Sequence, residues 1–262
     1  YRDTWAEINL DNIYDNVSAM KQYISDSVKL FAVVKANGYG HGAYEVARTA
    51  LEAGADWLAV AFLDEAIALR KKGIQAPILI LGAVRACDAG LAAEHQIAVT
   101  VFCNEWLKEA KQFIRNNTKL SVHIKCDTGM GRLGYRDSEQ IKKAEQLIGQ
   151  SSVYILEGCF THFATADEIN TEYYEQQYSK FIELLDAFSS PPEIIHSSNS
   201  ASTFRFEKAW FNGIRLGISM YGLSPSAEMK ELIPFPLKES LTLHTKIVNV
   251  KKIILVILLE IV

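Results

Sequence analysis

Lys35 is followed by Ala36-Asn37-Gly38-Tyr39-Gly40-His41-Gly42, an amine set before three glycines that let a chain turn tightly and approach a bound molecule closely. An amine whose pKa is lowered by desolvation and neighbouring cations is a nucleophile for a carbonyl carbon. A second lysine, Lys125, precedes Asp127-Thr128-Gly129-Met130-Gly131-Arg132, so basic side chains bracket another glycine-containing stretch. Further along stand Thr161-His162, then His196-Ser197-Ser198-Asn199-Ser200, then Arg215 just before Gly217-Ile218-Ser219.

These groups sit at the ends of short apolar or β-branched runs. Eight such runs recur: Leu30–Val34, Trp57–Val60, Ile78–Leu81, Ile97–Val101, Leu120–Ile124, Tyr154–Phe160, Glu193–Ile195 and Phe211–Leu216. Between most of them the apolar spacing turns helical. Val46, Ala47, Ala50 and Leu51 precede Gly54 as a stop; Asn104 and Ser138 are expected to cap the stripes Leu107-Ala110-Ile114 and Ile141-Ala144-Ile148; Tyr174 to Phe188 is the longest stripe. Strand and helix alternating eight times, with strands apolar on both faces, predicts parallel strands covered by helices. The closed solution is a (β/α)8 TIM barrel, which takes about 250 residues; an open doubly wound sheet is its rival. Trp5–Leu10 reads as an extra strand before a helix starting near Asp11, and Leu237–Val262 as about two more strands without a helix between them. The expected organisation is a barrel over 11–225, with 1–10 and 226–262 forming an incomplete C-terminal β domain to which the N-terminal strand contributes.

A barrel of this kind carries its active site at the C-terminal ends of the strands, where all the chemistry-bearing groups above fall. Asn199 and Ser200 are expected to open a short helix after strand seven, and Gly217 and Ile218 to offer backbone N–H groups after strand eight. A phosphate held between those two loops is a recurrent barrel device. A phosphate, a carbonyl and a lysine together point to pyridoxal phosphate held as a Schiff base.

Ala32-Val33-Val34-Lys35-Ala36-Asn37-Gly38-Tyr39-Gly40-His41-Gly42 resembles the cofactor-attachment signature of the alanine racemases. Lys125–Gly134, Gly158–Asp167, Asn199–Ser202 and Arg215–Leu223 resemble further blocks of that family in the same order, so the resemblance covers residues 4 to 252. It implies pyridoxal phosphate bound to Lys35, which also serves as one of two bases for Cα proton transfer. Tyr39, Ser200, Gly217 and Ile218 are implied as phosphate contacts, with Asn199 beside them. Arg215 is implied at the pyridine nitrogen and His162 next to that arginine. Arg132 is implied at the phenolic oxygen and the substrate carboxylate. Lys125 matches a lysine that some members carry as a carbamate.

Arginine is always charged and only donates, so a ring nitrogen facing Arg215 stays unprotonated. The weaker electron sink that results favours prompt reprotonation over transamination. The resemblance implies a homodimer whose partner lends a tyrosine as the second base, alanine as substrate, a cytoplasmic home and supply of D-alanine for peptidoglycan. The tyrosine's Ser-Tyr-Gly context is not found here, which reads as a C-terminally truncated chain that binds cofactor and racemises poorly. Rival readings are a broader or serine racemase on the same fold, a non-racemising pyridoxal-phosphate-binding protein, and a barrel lyase using Lys35 on a sugar phosphate.

Composition narrows the classes. The chain has 262 residues, 49% of them hydrophobic, enough for a large core. Its 27 basic and 31 acidic residues are interspersed, giving a net charge of −4 and no basic stripe for nucleic acid or a membrane surface. Cys87, Cys103, Cys126 and Cys159 form no CxxC pair, so they read as free thiols; His95, His123, His196 and His244 read as structural, and no metal site is expected. The longest apolar run, Ile253–Leu259, is far short of the roughly 20 residues that span a bilayer. Left exposed, that tail reads as an aggregation-prone edge.

Overall fold

The computed structural model describes residues 3–252. The chain opens with β1 (Thr4–Ile8) and α1 (Leu10–Tyr23), and eight parallel strands then close into a barrel. They are β2 (Lys29–Val33), β3 (Trp57–Val60), β4 (Ile78–Ile80), β5 (Ala98–Val101), β6 (Leu120–Lys125), β7 (Tyr154–Phe160), β8 (Ile194–Ser198) and β9 (Gly213–Leu216). The closed solution therefore holds over the open sheet, with β9 returning to β2 so that Phe31 lies opposite Arg215. A short turn, α2 (Lys35–Tyr39), follows β2. The outer helices are α3 (Ala43–Glu52), α4 (Leu63–Lys71), α5 (Ala89–Glu94), α6 (Asn104–Ala110), α7 (Ser138–Gly149), α8 (Glu172–Leu185) and α9 (Ser200–Arg205).

Residues of β3, β4 and β5 are buried throughout, as strands covered by helices outside and by side chains inside must be. Apolar residues facing outward join the helix stripes in the main core, while Phe31, Trp57, Leu79, Ala98 and Ile194 pack separately inside the barrel. Among the described residues no α-helix follows β9, only the 3-10 turns Ile218–Tyr221 and Lys230–Leu232, and α1 packs beside the first of these and against α3, filling the place of an eighth outer helix.

Several boundaries differ from the sequence expectation by one or two residues, for a local reason. Asn9 rather than Asp11 starts the first helix, its side chain accepting from the Asn12 N–H at 3.1 Å. Asp137 rather than Ser138 caps α7, accepting from the Gln140 N–H at 2.9 Å. Asn104 lies inside α6 and its Oδ1 accepts from the Tyr135 hydroxyl instead of capping. The larger difference is β8, which runs on through His196, Ser197 and Ser198. Those polar residues stay in the sheet because both serine hydroxyls donate to the Ala209 carbonyl, at 2.6 and 2.9 Å.

At the other end of the chain one strand, β10 (Leu241–Thr245), is formed among the described residues, and it pairs antiparallel with β1. Buried Asn16 of α1 ties this ribbon to the barrel: its Nδ2 donates to the Lys238 and Met220 carbonyls and its Oδ1 accepts from the Lys238 N–H. The apolar tail at 253–262 lies outside the described residues.

Candidate active site

Side chains alternate across a strand, so every second residue near a strand's end points into the barrel mouth. That period brings Val33 and Lys35, Lys125, Phe160 and His162, and Arg215 and Gly217 to the lining of one cavity of about 420 Å³. Loop residues Tyr39, Arg132, Asn199, Ser200, Ile218 and Asp167 complete its polar surface.

Lys35 heads a turn wound the wrong way. Ala36, Asn37 and Gly38 have φ/ψ of 52/52, 55/45 and 60/45, and Tyr39 has φ 52, a left-handed helical turn closed by Gly38 N–H to Val34 O and Gly40 N–H to Ala36 O bonds. Left-handed geometry costs about 1–2 kcal/mol per residue that has a Cβ, so the surroundings must hold it. Glu65 of α4 does so: Oε1 accepts from the Ala36 N–H at 2.6 Å while Oε2 accepts from Ala61 and Phe62 at 2.8 and 3.1 Å. Asn37 Oδ1 accepts from the Ala43 N–H and starts α3. The turn swings Tyr39 back over the site, its ring 5.8 Å from Lys35 Nζ and 4.9 Å from the ring of Tyr221. Burial raises the Tyr39 hydroxyl pKa, so it is a donor.

Arg215 is fully buried, and acceptors surround both of its Nη groups. Nη1 donates to His196 O and meets His196 Nδ1, both at 2.8 Å; Nη2 donates to Thr161 O at 2.8 Å and Ser197 O at 2.9 Å, with His162 Nδ1 at 3.4 Å. Nε has no acceptor among the described residues. Burial, then Arg132, brings the guanidinium pKa down to about 9. Burial, then Arg215, pushes His162 well below the usual imidazole range, so it is neutral at pH 7.

Lys125 is buried with Nζ 4.4 Å from the Phe160 ring centre and has no carboxylate partner among the described residues. Burial, then Arg215, lowers it well below the ordinary lysine value. The nearby carboxylate, Asp127, is used otherwise. Its Oδ1 accepts from the Gly131 and Gly129 N–H groups and its Oδ2 pairs with Arg136 at 2.9 Å, shaping the loop that carries Arg132 to the mouth. Arg132 itself is exposed and makes no hydrogen bond or ion pair among the described residues.

Asn199 caps α9, its Oδ1 accepting from the Ser202 N–H at 3.0 Å, and Nδ2 donates to Phe163 O. Ser200 Oγ accepts from the Gly217 N–H at 3.0 Å, so that N–H is shared with the serine rather than bare as the sequence suggested. A Cβ added at Gly217 would lie 3.5 Å from Tyr39 Oη and 3.8 Å from Ser200 Oγ: two hydroxyls and a backbone stripped of side chain converge on one spot.

Every residue the sequence nominated for the site thus reaches the same cavity. Sequence reasoning missed two. Glu65 has no motif of its own beyond its place three residues into a helix, and His196, set aside as structural, touches Arg215 directly. The cavity can hold an anion, since Lys35, Lys125, Arg132 and Arg215 face a single carboxylate, Asp167, and it presents an amine to a carbonyl.

The family described as "Alanine racemase, N-terminal domain" matches residues 8–225. The alanine racemase of Geobacillus kaustophilus is 54% identical over 253 residues, covering 97% of this chain and 66% of that protein, so the chain spans just under two thirds of that relative. Alanine racemase 1 of Bacillus subtilis is 48% identical over 97% of this chain and 65% of its own length. Among solved structures, the alanine racemase of Bacillus anthracis with bound L-Ala-P superposes with a TM-score of 0.92 at 48% identity, over 97% of this chain and 67% of that one. A histidine racemase from Leuconostoc mesenteroides subsp. sake superposes at 0.88 with 31% identity, over 95% and 67%.

Proposed function

The chain belongs to the alanine racemase family, and we propose that it forms the pyridoxal-phosphate-binding part of an enzyme that interconverts L-alanine and D-alanine. The observation that carries the reading is the pairing of Lys35 with a wholly enclosed Arg215 in one predominantly cationic cavity.

The residues fit the cofactor. Arg215 cannot accept a hydrogen bond, and its Nε–H, without an acceptor among the described residues, suits a bare pyridine nitrogen. Tyr39, Ser200, Gly217 and Ile218 suit the phosphate, with Asn199 holding the helix start beside them. When bound, pyridoxal phosphate draws electrons from the amino acid joined to it and acidifies the Cα hydrogen.

This chain's residues do the rest. Lys35 would hold the cofactor through its amine, and its Nζ, when free, would remove or return the Cα proton on one face. Arg215, permanently donating, would leave a ring nitrogen facing it without a proton and so make the bound cofactor a weaker electron sink. His162, neutral, packs beside the ring and Arg215. Arg132 meets the substrate carboxylate and the phenolic oxygen. Lys125, desolvated and without a carboxylate partner, is the amine assigned to carbamylation; the resulting anion offsets Arg132 across the cavity.

The reading gives the opposite-face proton transfer to a tyrosine lent by the partner in a homodimer, from a β domain to which 1–10 and 226–262 contribute beside the barrel at 11–225. It places the enzyme in the cytoplasm, supplying D-alanine for peptidoglycan. Because a histidine racemase shares the architecture, alanine, serine and histidine are the substrates to compare. The test is incubation of the chain with pyridoxal phosphate, borohydride reduction and peptide mass spectrometry. The reduced adduct is expected on Lys35. No adduct, or one on another lysine, overturns the reading.

A further inference from the structure

Beneath Arg215 the barrel interior holds two histidines where side chains of a barrel are ordinarily apolar. His196 is sandwiched between the rings of Phe31 and Phe160, each centred 4.7 Å away, and its Nε2 lies 3.1 Å from His123 Nδ1. His123 is wholly buried with its ring edge-on to Trp57 at 5.6 Å. On its far side, His123 Nε2 and Glu157 Oε2 face each other at 3.4 Å, both buried, and neither has a formed hydrogen bond among the described residues.

The sheet is modified to admit this row. Val122 pairs with Leu156 and His123 with Gly158, so Glu157 is the extra residue of a bulge, the device that re-aims a side chain. A Cβ at Gly158 would fall 2.4 Å from His123 Nδ1, so only glycine leaves room for the ring. Glu157 emerges in an opening lined by Trp57, Ile78, Ala98 and Ser121, at the N-terminal ends of β3, β4, β5 and β6, the side of the barrel opposite the cavity.

One donor-only group then settles every proton in the row. Arg215 Nη1 only donates, so His196 Nδ1 must be bare; a neutral imidazole then carries its proton on Nε2 and donates to His123 Nδ1; His123 in turn carries its proton on Nε2 and aims it at the Glu157 carboxylate. A proton on His196 Nδ1 would set N–H against N–H. We infer that Arg215, His196 and His123 form a directed hydrogen-bond chain through the barrel, ended by the facing Glu157 carboxylate, in which His123 and Glu157 are positioning residues that keep His196 Nδ1 bare as a fixed acceptor for Arg215. Burial, then the charge of Arg215, lowers His196 well below the usual imidazole range, in keeping with its neutral form. What Arg215 meets at the cavity end rests on the proposed cofactor; the proton order in the chain does not.

The experiment is 15N NMR of histidine-labelled protein, with and without added pyridoxal phosphate. Both His196 and His123 are expected as the Nε2–H tautomer, with bare Nδ1. Glu157→Leu removes the terminal acceptor and is expected to shift the His123 tautomer ratio about fivefold, the equivalent of one hydrogen bond, with a comparable fall in racemisation. Glu157→Gln keeps an acceptor and is expected to restore the tautomer pattern. A protonated His196 Nδ1 in the unmodified protein overturns the inference without any variant, as does a Glu157→Leu protein whose tautomers are unchanged. Failure to bind pyridoxal phosphate with the tautomers as stated counts against the proposed function and leaves the chain standing.

Discussion

The two walls of the cavity are built in opposite ways. Lys35 stands on a left-handed turn outside the sheet, held by main-chain hydrogen bonds and one carboxylate, and is partly exposed. Arg215 stands in the sheet itself, fully buried, with Nη1 and Nη2 bonded to fixed backbone carbonyls. The difference matches what each group must do under the proposed function. An amine that gives up its place to a substrate amine and then moves a proton needs room, whereas a donor that sets the electronics of a ring must not move.

The contrast is broken most severely by removing each wall's principal group. Lys35→Ala should lower racemisation at least about 10⁴-fold, the scale of losing a nucleophile that is also a base, and abolish the visible absorption of lysine-bound pyridoxal phosphate. Its urea unfolding midpoint should barely change, because Lys35 supports nothing. Arg215→Leu should do the reverse in proportion: the carbonyls of Thr161, His196 and Ser197 lose their donor inside the barrel, at a cost of about 2–4 kcal/mol, read as a lowered urea midpoint. Arg215→Lys should fall near the leucine variant, since an ammonium cannot reach the same fork of acceptors.

Those two walls were unequally legible in the sequence. Strand period and barrel architecture are enough to send Lys35, Lys125, His162 and Arg215 to one mouth, because alternation fixes facing without knowledge of contacts. The left-handed turn was legible only as three glycines. Ala36, Asn37 and Tyr39 share its positive φ, and Glu65, distant in sequence, supplies the acceptor for the Ala36 N–H there. The extension of β8 was hidden by His-Ser-Ser, which reads as loop until Ala209 is seen to satisfy both hydroxyls. His123 and Glu157 come together through a register shift between β6 and β7, and no sequence period encodes a bulge.

Smaller changes sharpen the comparison by testing what holds each side. Glu65→Ala removes the acceptor of three backbone N–H groups, that of Ala36 in the Lys35 turn and those of Ala61 and Phe62 ahead of α4, and should cost about 1–3 kcal/mol, with weaker cofactor uptake than Glu65→Gln, which keeps one acceptor oxygen. Gly38→Ala should cost about 1–2 kcal/mol: φ is 60°, and the new Cβ would lie 3.2 Å from Val46 Cγ2. Both variants should leave the His196 tautomer untouched, since nothing in the Lys35 turn reaches it.

The mildest test concerns acid stability of the loop that brings Arg132 to the Arg215 side. Burial alone would raise the Asp127 pKa, but the Gly131 N–H, Arg136 and the Gly129 N–H outweigh it and the net shift is downward. A carboxyl whose folded pKa lies below its unfolded value binds fewer protons when folded, so its stabilisation is fully present above the unfolded pKa of about 4 and is lost as pH falls through the folded one. Asp127→Asn should therefore lower the unfolding midpoint modestly at pH 7 and by less at pH 3. Equal losses at both pH values would mean that Asp127 holds the Arg132 loop by shape, not by charge, and that this loop is built like the Lys35 turn only in outline.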